Sequence, residues 1–120
     1  MRKTEIPDPV RQLLPLSPAV FYILFALSEG EKHGYAIMKE AETVSGGQFT
    51  MGPGTLYTTI QRLLELGLIE ETSTPSNSER RRRCYRLARS GRQVLEAELN
   101  RMETLVRSAQ RRKLVPRDVR

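Results

Sequence analysis

Four hydrogen-bonding side chains recur on one side of a predicted helix between residues 53 and 66. Thr55, Thr58, Gln61 and Arg62 are spaced so that they share a helical face. Hydroxyl, amide and guanidinium groups of this kind contact base edges in the DNA major groove and the phosphates beside it. The face is therefore typical of a DNA-reading helix. On this stretch alone, an ordinary solvent-exposed amphipathic helix explains the pattern about as well.

The opposite side of the same helix is apolar, and both of its ends carry terminating residues. Pro53 suits the first helical position, where its missing N–H costs nothing, and Gly67 suits the position just past the end. The apolar residues fall at i, i+4, i+7 and i+8, which is one side of an α-helix. They are Leu56, Ile60, Leu63 and Leu64. We expect this side to pack on a core and the polar side to face outward.

The composition favours one small folded domain with a polyanionic partner. The chain has 120 residues, of which 38% are hydrophobic and 28% charged, and its net charge is +6 at pH 7. Positive charge of this size favours nucleic acid first and an anionic membrane surface second. Much of it lies between residues 80 and 93, which hold seven arginines and no acidic residue.

The residues that usually carry catalysis or bind metals are sparse. Cys84 is the only cysteine, which excludes an intramolecular disulfide and a cysteine-cluster metal site. His33 is the only histidine, and its place before a glycine at a helix start favours a structural or capping role. The segment 52–55 lacks the lysine of a phosphate-binding loop. The sequence therefore predicts no enzyme, no cofactor and no metal. A redox role for Cys84 in its basic surroundings stays open.

The longest apolar run, Ala19–Leu27, is too short to span a bilayer. No small-residue cleavage pattern follows it, which argues against a signal peptide. We expect no membrane partner and a location in the reducing cytoplasm.

Three helices and a hairpin are predicted before residue 89. Residues 1–16 form an arm, and Ser17 and Pro18 start a helix over Ala19–Glu29 that is apolar nearly all round. A second helix runs from about residue 34 to Val44, and the segment over 53–66 is the third.

Two strands, Leu68–Thr74 and Arg82–Ala88, flank a turn over 75–78. This order is that of a winged helix-turn-helix, so the predicted class is mainly α with a small β-hairpin and a long C-terminal helix.

The final helix, Arg89–Arg112, has an apolar seam that predicts dimerisation. Leu95, Leu99, Met102 and Val106 alternate spacings of four and three, as in a heptad repeat. The alternative is that this helix folds back on its own domain. The first helix is also apolar on more sides than its own domain would cover. We therefore expect a homodimer that forms through both helices. The predicted interface residues are Val20, Leu24, Leu95, Leu99, Met102 and Val106.

The chain thus divides into four predicted parts. Residues 1–16 are the N-terminal arm, 17–88 the winged helix-turn-helix DNA-binding domain, 89–113 the dimerisation helix, and 114–120 a basic tail.

From about residue 16 to residue 99 the chain resembles the PadR family of transcriptional regulators. The motifs that carry the resemblance, in order, are HGYAI over 33–37, GTLY over 54–57, RLLELGLIE over 62–70 and RCYRL over 83–87. The resemblance implies a winged helix-turn-helix dimer that acts mainly as a repressor on palindromic operator DNA. It also implies that the first and last helices form the dimer interface.

Some members of this family bind a small aromatic molecule at the dimer interface, which weakens DNA binding. This chain has no tryptophan, and its last helix has no aromatic residue, so we expect no ligand sandwiched by rings from that helix. A candidate effector pocket is lined by Phe21, Tyr22, Phe25 and Met102. The family often has threonine where this chain has Ala88, which predicts that the helix cap shifts to Ser90.

The predicted DNA contacts come from two helices and the wing, as the hairpin is called in this fold. They are Tyr35, Thr55, Tyr57, Thr58, Gln61, Arg62, Arg80, Arg81, Arg82 and Arg83. Gln61 suits an adenine edge and Arg62 a guanine edge, although either can contact phosphate instead. Tyr57 also fits a core position, and the four consecutive arginines also fit a solvated turn.

The main alternative function is a winged-helix protein-interaction module whose basic wing binds acidic proteins. RNA binding is less favoured, because the chain lacks the aromatic platform that single-stranded RNA usually needs.

Overall fold

Four α-helices and three short strands make up the parts of the chain that the computed structural model describes, residues 11–72 and 83–116. In order they are α1 (Pro18–Leu27), β1 (Lys32–His33), α2 (Gly34–Val44), α3 (Pro53–Glu65), β2 (Ile69–Thr72), β3 (Cys84–Leu87) and α4 (Arg89–Arg111). The predicted class, mainly α with a small hairpin and a long last helix, is confirmed.

Local capping contacts explain where the first two helices begin. The Ser17 hydroxyl accepts a hydrogen bond from the Val20 N–H at 3.3 Å, and Pro18 occupies the first turn of α1. Nδ1 of His33 accepts from the Ala36 N–H at 3.4 Å, so this histidine caps α2. The predicted capping role of His33 is confirmed.

The start of α4 differs from the prediction. Ala88 is the N-cap residue and makes no side-chain capping bond, whereas Ser90 lies inside the helix. The Ser90 hydroxyl instead donates to the Gly67 carbonyl at 2.8 Å. The prediction that Ser90 takes over the cap was therefore wrong, because its hydroxyl ties α4 to the turn after α3.

The predicted pairing of two antiparallel strands is confirmed, and a short third strand extends it to a three-stranded antiparallel sheet. Its order is β1-β3-β2, with Ile69 opposite Leu87 at one end of β2 and Thr72 opposite Cys84 at the other. β1 adds two residues on the far side of β3, where His33 pairs with Cys84. The predicted turn over 75–78 and the outer ends of both predicted strands lie outside the described residues.

Helix α1 lies at the centre of the fold. It contacts α2, α3, α4 and β3, and Ile23, Leu24 and Ala26 are fully buried. This central position accounts for its apolar character on nearly every side. A second copy of the protein is not needed to cover most of that surface.

Gly91 allows α4 to approach the start of β2 closely. The Ala88 N–H donates to the Leu68 carbonyl at 3.0 Å, and a Cβ placed on Gly91 would collide with that same carbonyl oxygen. The contact fixes α4 against the turn that follows α3. The first part of α4 is thereby joined to the rest of the fold.

Candidate nucleic-acid interface

The outward face of α3 carries the polar residues that the sequence singled out. Thr55, Thr58, Gln61 and Arg62 are all exposed. On the opposite side Leu56, Ile60 and Leu63 are buried in the core, each at most 2% exposed. The helix therefore presents a continuous hydrogen-bonding surface on a firmly packed support.

The N-terminus of α3 is open to an anionic group. Its N-cap residue, Gly52, makes no side-chain capping bond, and Pro53 and Gly54 are exposed. The first-turn N–H groups of a helix have no acceptor within the helix, and the helix dipole is positive there. A backbone phosphate could be bound at this end.

Tyr57 joins α3 to the start of α2. Its side chain is 47% exposed, yet its hydroxyl lies so close to Gly34 that a Cβ there would collide with it. Tyr57 therefore packs against α2 and also contributes outer surface. Tyr35, which follows Gly34 in the chain, has a side chain that is 60% exposed. The Lys39 ammonium lies 5.9 Å from the centre of its ring. Because Tyr57 contacts Gly34, the two tyrosines lie at the same place, where α3 packs on the start of α2.

The described part of the wing carries paired charges. Arg86 Nε lies 2.9 Å from a Glu70 carboxylate oxygen, and Arg83 Nε lies 3.7 Å from Glu71. All four side chains are solvent-exposed, where such pairs contribute little to stability. These arginines can therefore exchange partners at low cost. Arg80, Arg81 and Arg82 lie outside the described residues.

Tyr85 of β3 lies beneath this wing surface and is 1% exposed. Burial raises the pKa of Tyr85, and a hydrogen bond with Arg83 opposes that shift. The ring belongs to the core that supports the wing.

The residues predicted for a dimer interface fall into two groups. Val20, Leu24 and Leu95 are 7%, 0% and 3% exposed within the single chain. They belong to the core of the single chain, where Val20 and Leu24 lie on the central helix α1 and Leu95 lies in the first half of α4. Leu99 and Val106, by contrast, are 38% and 45% exposed, and Met102 is half-buried. The same outer stretch of α4 also exposes Leu105, at 56%.

The aromatic residues of the predicted effector pocket contact one another, Phe21 and Tyr22 edge to face and Phe21 and Phe25 in a stack. The ring centres of Phe21 and Tyr22 are 5.2 Å apart, and those of Phe21 and Phe25 are 5.5 Å apart. The sequence analysis missed Phe49, whose ring stacks on Tyr22 at 5.1 Å. Phe49 lies in the loop that leads to α3, so the cluster connects α1 to the start of α3. Met102, the fourth predicted residue, is half-buried on α4.

A groove of about 880 Å³ lies over the outward face of α3. One wall is the arm before α1, and its floor is α3. The lining residues are Gln12, Leu13, Pro15, Ser17, Val20, Tyr57, Thr58, Thr59, Gln61, Arg62 and Glu65. The sequence analysis did not predict that the arm borders α3, because no local pattern relates segments so far apart in the chain.

Glu98 was also missed as a buried group. It lies on α4 with 1% of its surface exposed, and its carboxylate accepts from the Leu16 N–H at 3.1 Å. Arg101 donates to both oxygens, through Nε at 2.8 Å and Nη2 at 2.9 Å. The Arg101 bonds lower the pKa of Glu98 most, the Leu16 bond also lowers it, and burial opposes both.

Within residues 11–72 and 83–116, no cluster of three histidine, cysteine or acidic side chains could hold a metal ion. None of the helices described there has the length and apolarity needed to cross a membrane.

An exposed polar helix on a winged helix-turn-helix defines a DNA-binding class of protein, and comparisons with known proteins identify the family. The model of the transcriptional regulator PadR-like family matches residues 23–97. The chain belongs to this family. Its members are transcriptional regulators and not enzymes. The predicted family and the prediction that the protein is not an enzyme are therefore confirmed.

Two curated relatives match most of the chain. One is an uncharacterized 37.1 kDa protein in transposon Tn4556 of Streptomyces fradiae, 38% identical over 87 residues, which are 72% of this chain and 24% of that protein. The other is the transcriptional regulator YqjI of Escherichia coli K12, 32% identical over 83 residues, covering 69% of this chain and 38% of that protein. The chain therefore spans less than half the length of either relative.

Solved structures share the fold. A PadR family regulator from Clostridium difficile superposes with a TM-score of 0.68 at 22% identity, covering 79% of this chain and 97% of that one. Bacillus subtilis PadR in complex with operator DNA gives a TM-score of 0.63 at 26% identity, covering 71% of this chain and 48% of that one.

Proposed function

We propose that this protein is a homodimeric repressor that binds a palindromic operator. The observation that carries the proposal is the exposed polar face of α3 on a packed winged helix-turn-helix in a PadR-family chain. The complex of Bacillus subtilis PadR with operator DNA supports operator binding as the activity. Residues 17–88 form the DNA-binding domain in this proposal, and residues 89–113 the dimerisation helix.

In the proposed complex, α3 enters the major groove. Gln61 and Arg62 contact base edges or the phosphates next to them, and Thr55 and Thr58 contact nearby polar groups. Tyr35 and Tyr57 contact the backbone. Arg80, Arg81, Arg82 and Arg83 of the wing add sequence-independent affinity that falls steeply with salt.

The dimer forms through the outer part of α4, where Leu99, Met102, Leu105 and Val106 offer an apolar surface. A two-fold dimer places its two α3 helices in successive major grooves, so the operator half-sites lie about one helical turn apart. A small apolar effector acts at the cluster of Phe21, Tyr22 and Phe25 in this scheme. A regulator must share the compartment of its DNA, and the single cysteine fits a reducing cytoplasm.

Selection of bound duplexes from a random pool tests specific binding. An enriched inverted repeat with half-sites about one turn apart is the expected result. Salt-sensitive bulk binding without enrichment would contradict operator binding and favour the protein-interaction module.

Fluorescence anisotropy on the selected duplex then tests the reading face. Arg62→Ala should weaken binding by about 1–3 kcal/mol and relax the preference at one base pair of each half-site. Arg107→Ala is the matched control, since Arg107 is also exposed but lies on α4, paired with Glu103 at 3.1 Å. Equal losses in the two variants would mean that α3 does not read the DNA.

A further inference from the structure

The arm before α1 is tied to the last helix by a buried carboxylate. The Leu16 N–H donates to Glu98 Oε2, joining residues 82 positions apart in the chain. Leu16 itself is 9% exposed, and Leu13 and Leu14 pack against the core beside it. The described part of the arm, residues 11–16, is therefore held at a defined place on the domain.

Glu98 is the one buried charged residue among those the structure describes, and both of its oxygens are in use. A carboxylate is expensive to bury, and its partners must supply hydrogen bonds and opposite charge. Here Arg101 supplies the charge and the arm supplies a backbone N–H. Such directional bonds fix the position of the arm more closely than apolar packing alone.

The position that Glu98 fixes is beside the proposed DNA-reading face. Gln12 of the arm and Ser17, the N-cap of α1, line the same groove as Thr58 and Arg62 of α3. Amide, hydroxyl and guanidinium donors therefore surround one continuous open surface. The groove also contains Glu65, whose carboxylate accepts a hydrogen bond from Gln61 at 3.4 Å.

We infer that the arm is a second wall of the DNA-binding surface, and that Glu98 is the positioning residue that holds it there. Gln12 donates to a backbone phosphate that flanks the major groove entered by α3. Duplex DNA is the fitting occupant because the groove is continuous with the α3 face and the net charge of the chain is +6. This inference rests on the proposed function.

The test measures the affinity of four proteins for the selected duplex: wild type, Gln12→Ala, Glu98→Gln and the double variant. Each single substitution should weaken binding by at least about tenfold, as expected for one hydrogen bond to a charged partner. The double variant should bind about as weakly as Glu98→Gln alone, because an unfixed arm no longer presents Gln12. A purely structural role of Glu98 predicts instead that the two losses multiply.

Two control variants match the substitutions. Gln110→Ala changes a glutamine near the far end of α4, and Glu103→Gln changes an exposed acid of the same helix that pairs with Arg107. Both should bind DNA like wild type. Thermal unfolding of every variant ensures that titrations are made on folded protein. If Glu98→Gln does not fold, Gln12→Ala, an exposed substitution, still tests the wall by itself.

Neutral methylphosphonate linkages, placed one at a time in the duplex, locate the contact. At one flanking position, wild type should lose at least about tenfold in affinity while Gln12→Ala loses nothing. Unchanged affinity in Gln12→Ala would overturn the inference. Tighter binding in Glu98→Gln would also overturn it and show that the arm shields α3. If wild type itself shows no specific binding, the proposed function fails first, which is a separate result.

Discussion

Helices α3 and α4 carry similar apolar stripes, but the fold treats them differently. Leu56, Ile60 and Leu63 of α3 are buried along the whole helix. The stripe of α4 divides: Leu95 is 3% exposed, whereas Val106 is 45% exposed. Periodicity thus identifies the apolar face of a helix without identifying what covers it.

Length explains the difference. Helix α3 has 13 residues and fits within the domain, whereas α4 has 23 residues and is about 34 Å long. Its buried residues, Gly91, Val94, Leu95 and Glu98, all lie in its first half. The second half extends past the domain, where Leu105 and Val106 are exposed in the single chain.

Truncating one leucine in each helix should reveal the largest difference between α3 and α4. Leu63→Ala leaves a cavity in a closed core and should lower the free energy of unfolding by about 2–5 kcal/mol at any protein concentration. Leu105→Ala, at a 56% exposed position, should cost much less in dilute protein. Urea unfolding at two protein concentrations measures both. A small loss for Leu63→Ala would contradict the packing of α3.

Substitution of Gly91, where α4 closely contacts Leu68, should have the next largest effect on stability. Gly91→Ala places a methyl group against the Leu68 carbonyl and should cost about 1–3 kcal/mol of stability. Gly54→Ala is the matched control, since no atom lies within 4 Å of the added carbon in α3. It should be stabilising by about 0.5–1 kcal/mol, because alanine favours a helix. Equal effects in urea unfolding would show that α4 does not rest on the Leu68 carbonyl.

The exposed half of α4 should govern self-association. Leu105→Asp introduces a charge into the proposed interface and should raise the dimer dissociation constant at least about tenfold. Thr104→Asp, at the neighbouring exposed position, should change it little. Sedimentation across a concentration series measures both constants. Wild-type protein that stays monomeric throughout would rule out the proposed interface.

Acid should weaken the hydrogen bonds that Glu98 of α4 makes with Leu16 of the arm and with Arg101. This is the smallest of the expected effects, and it does not arise at neutral pH. The folded-state pKa of Glu98 is below its ordinary value of 4.5. The stabilisation is therefore complete above about pH 4.5 and is lost as the pH falls through the lowered pKa. Melting temperatures of wild type and Glu98→Gln should differ above pH 4.5 and converge below it. A constant difference from pH 7 to pH 3 would show that Glu98 ionisation is not involved.

The sequence by itself determined the order and type of the main elements. Ser17 and Pro18 start α1 as predicted, and Gly67 follows α3 with a φ of +75°. These signals are local: a cap, a turn or a helical repeat acts over a few residues and can be read directly. The order of these elements predicted the winged helix-turn-helix, the family motifs agreed with it, and the fold confirms it.

The tertiary structure alone decided which surfaces meet. It turned Val20 and Leu24 inward, added β1 to the sheet, and placed the arm beside α3. It also buried Glu98, an acid that the helical pattern places next to the apolar seam, because Leu16 and Arg101 satisfy both of its oxygens. Such contacts depend on how distant segments pack, and each of these residues would suit solvent or a partner equally well in a local pattern.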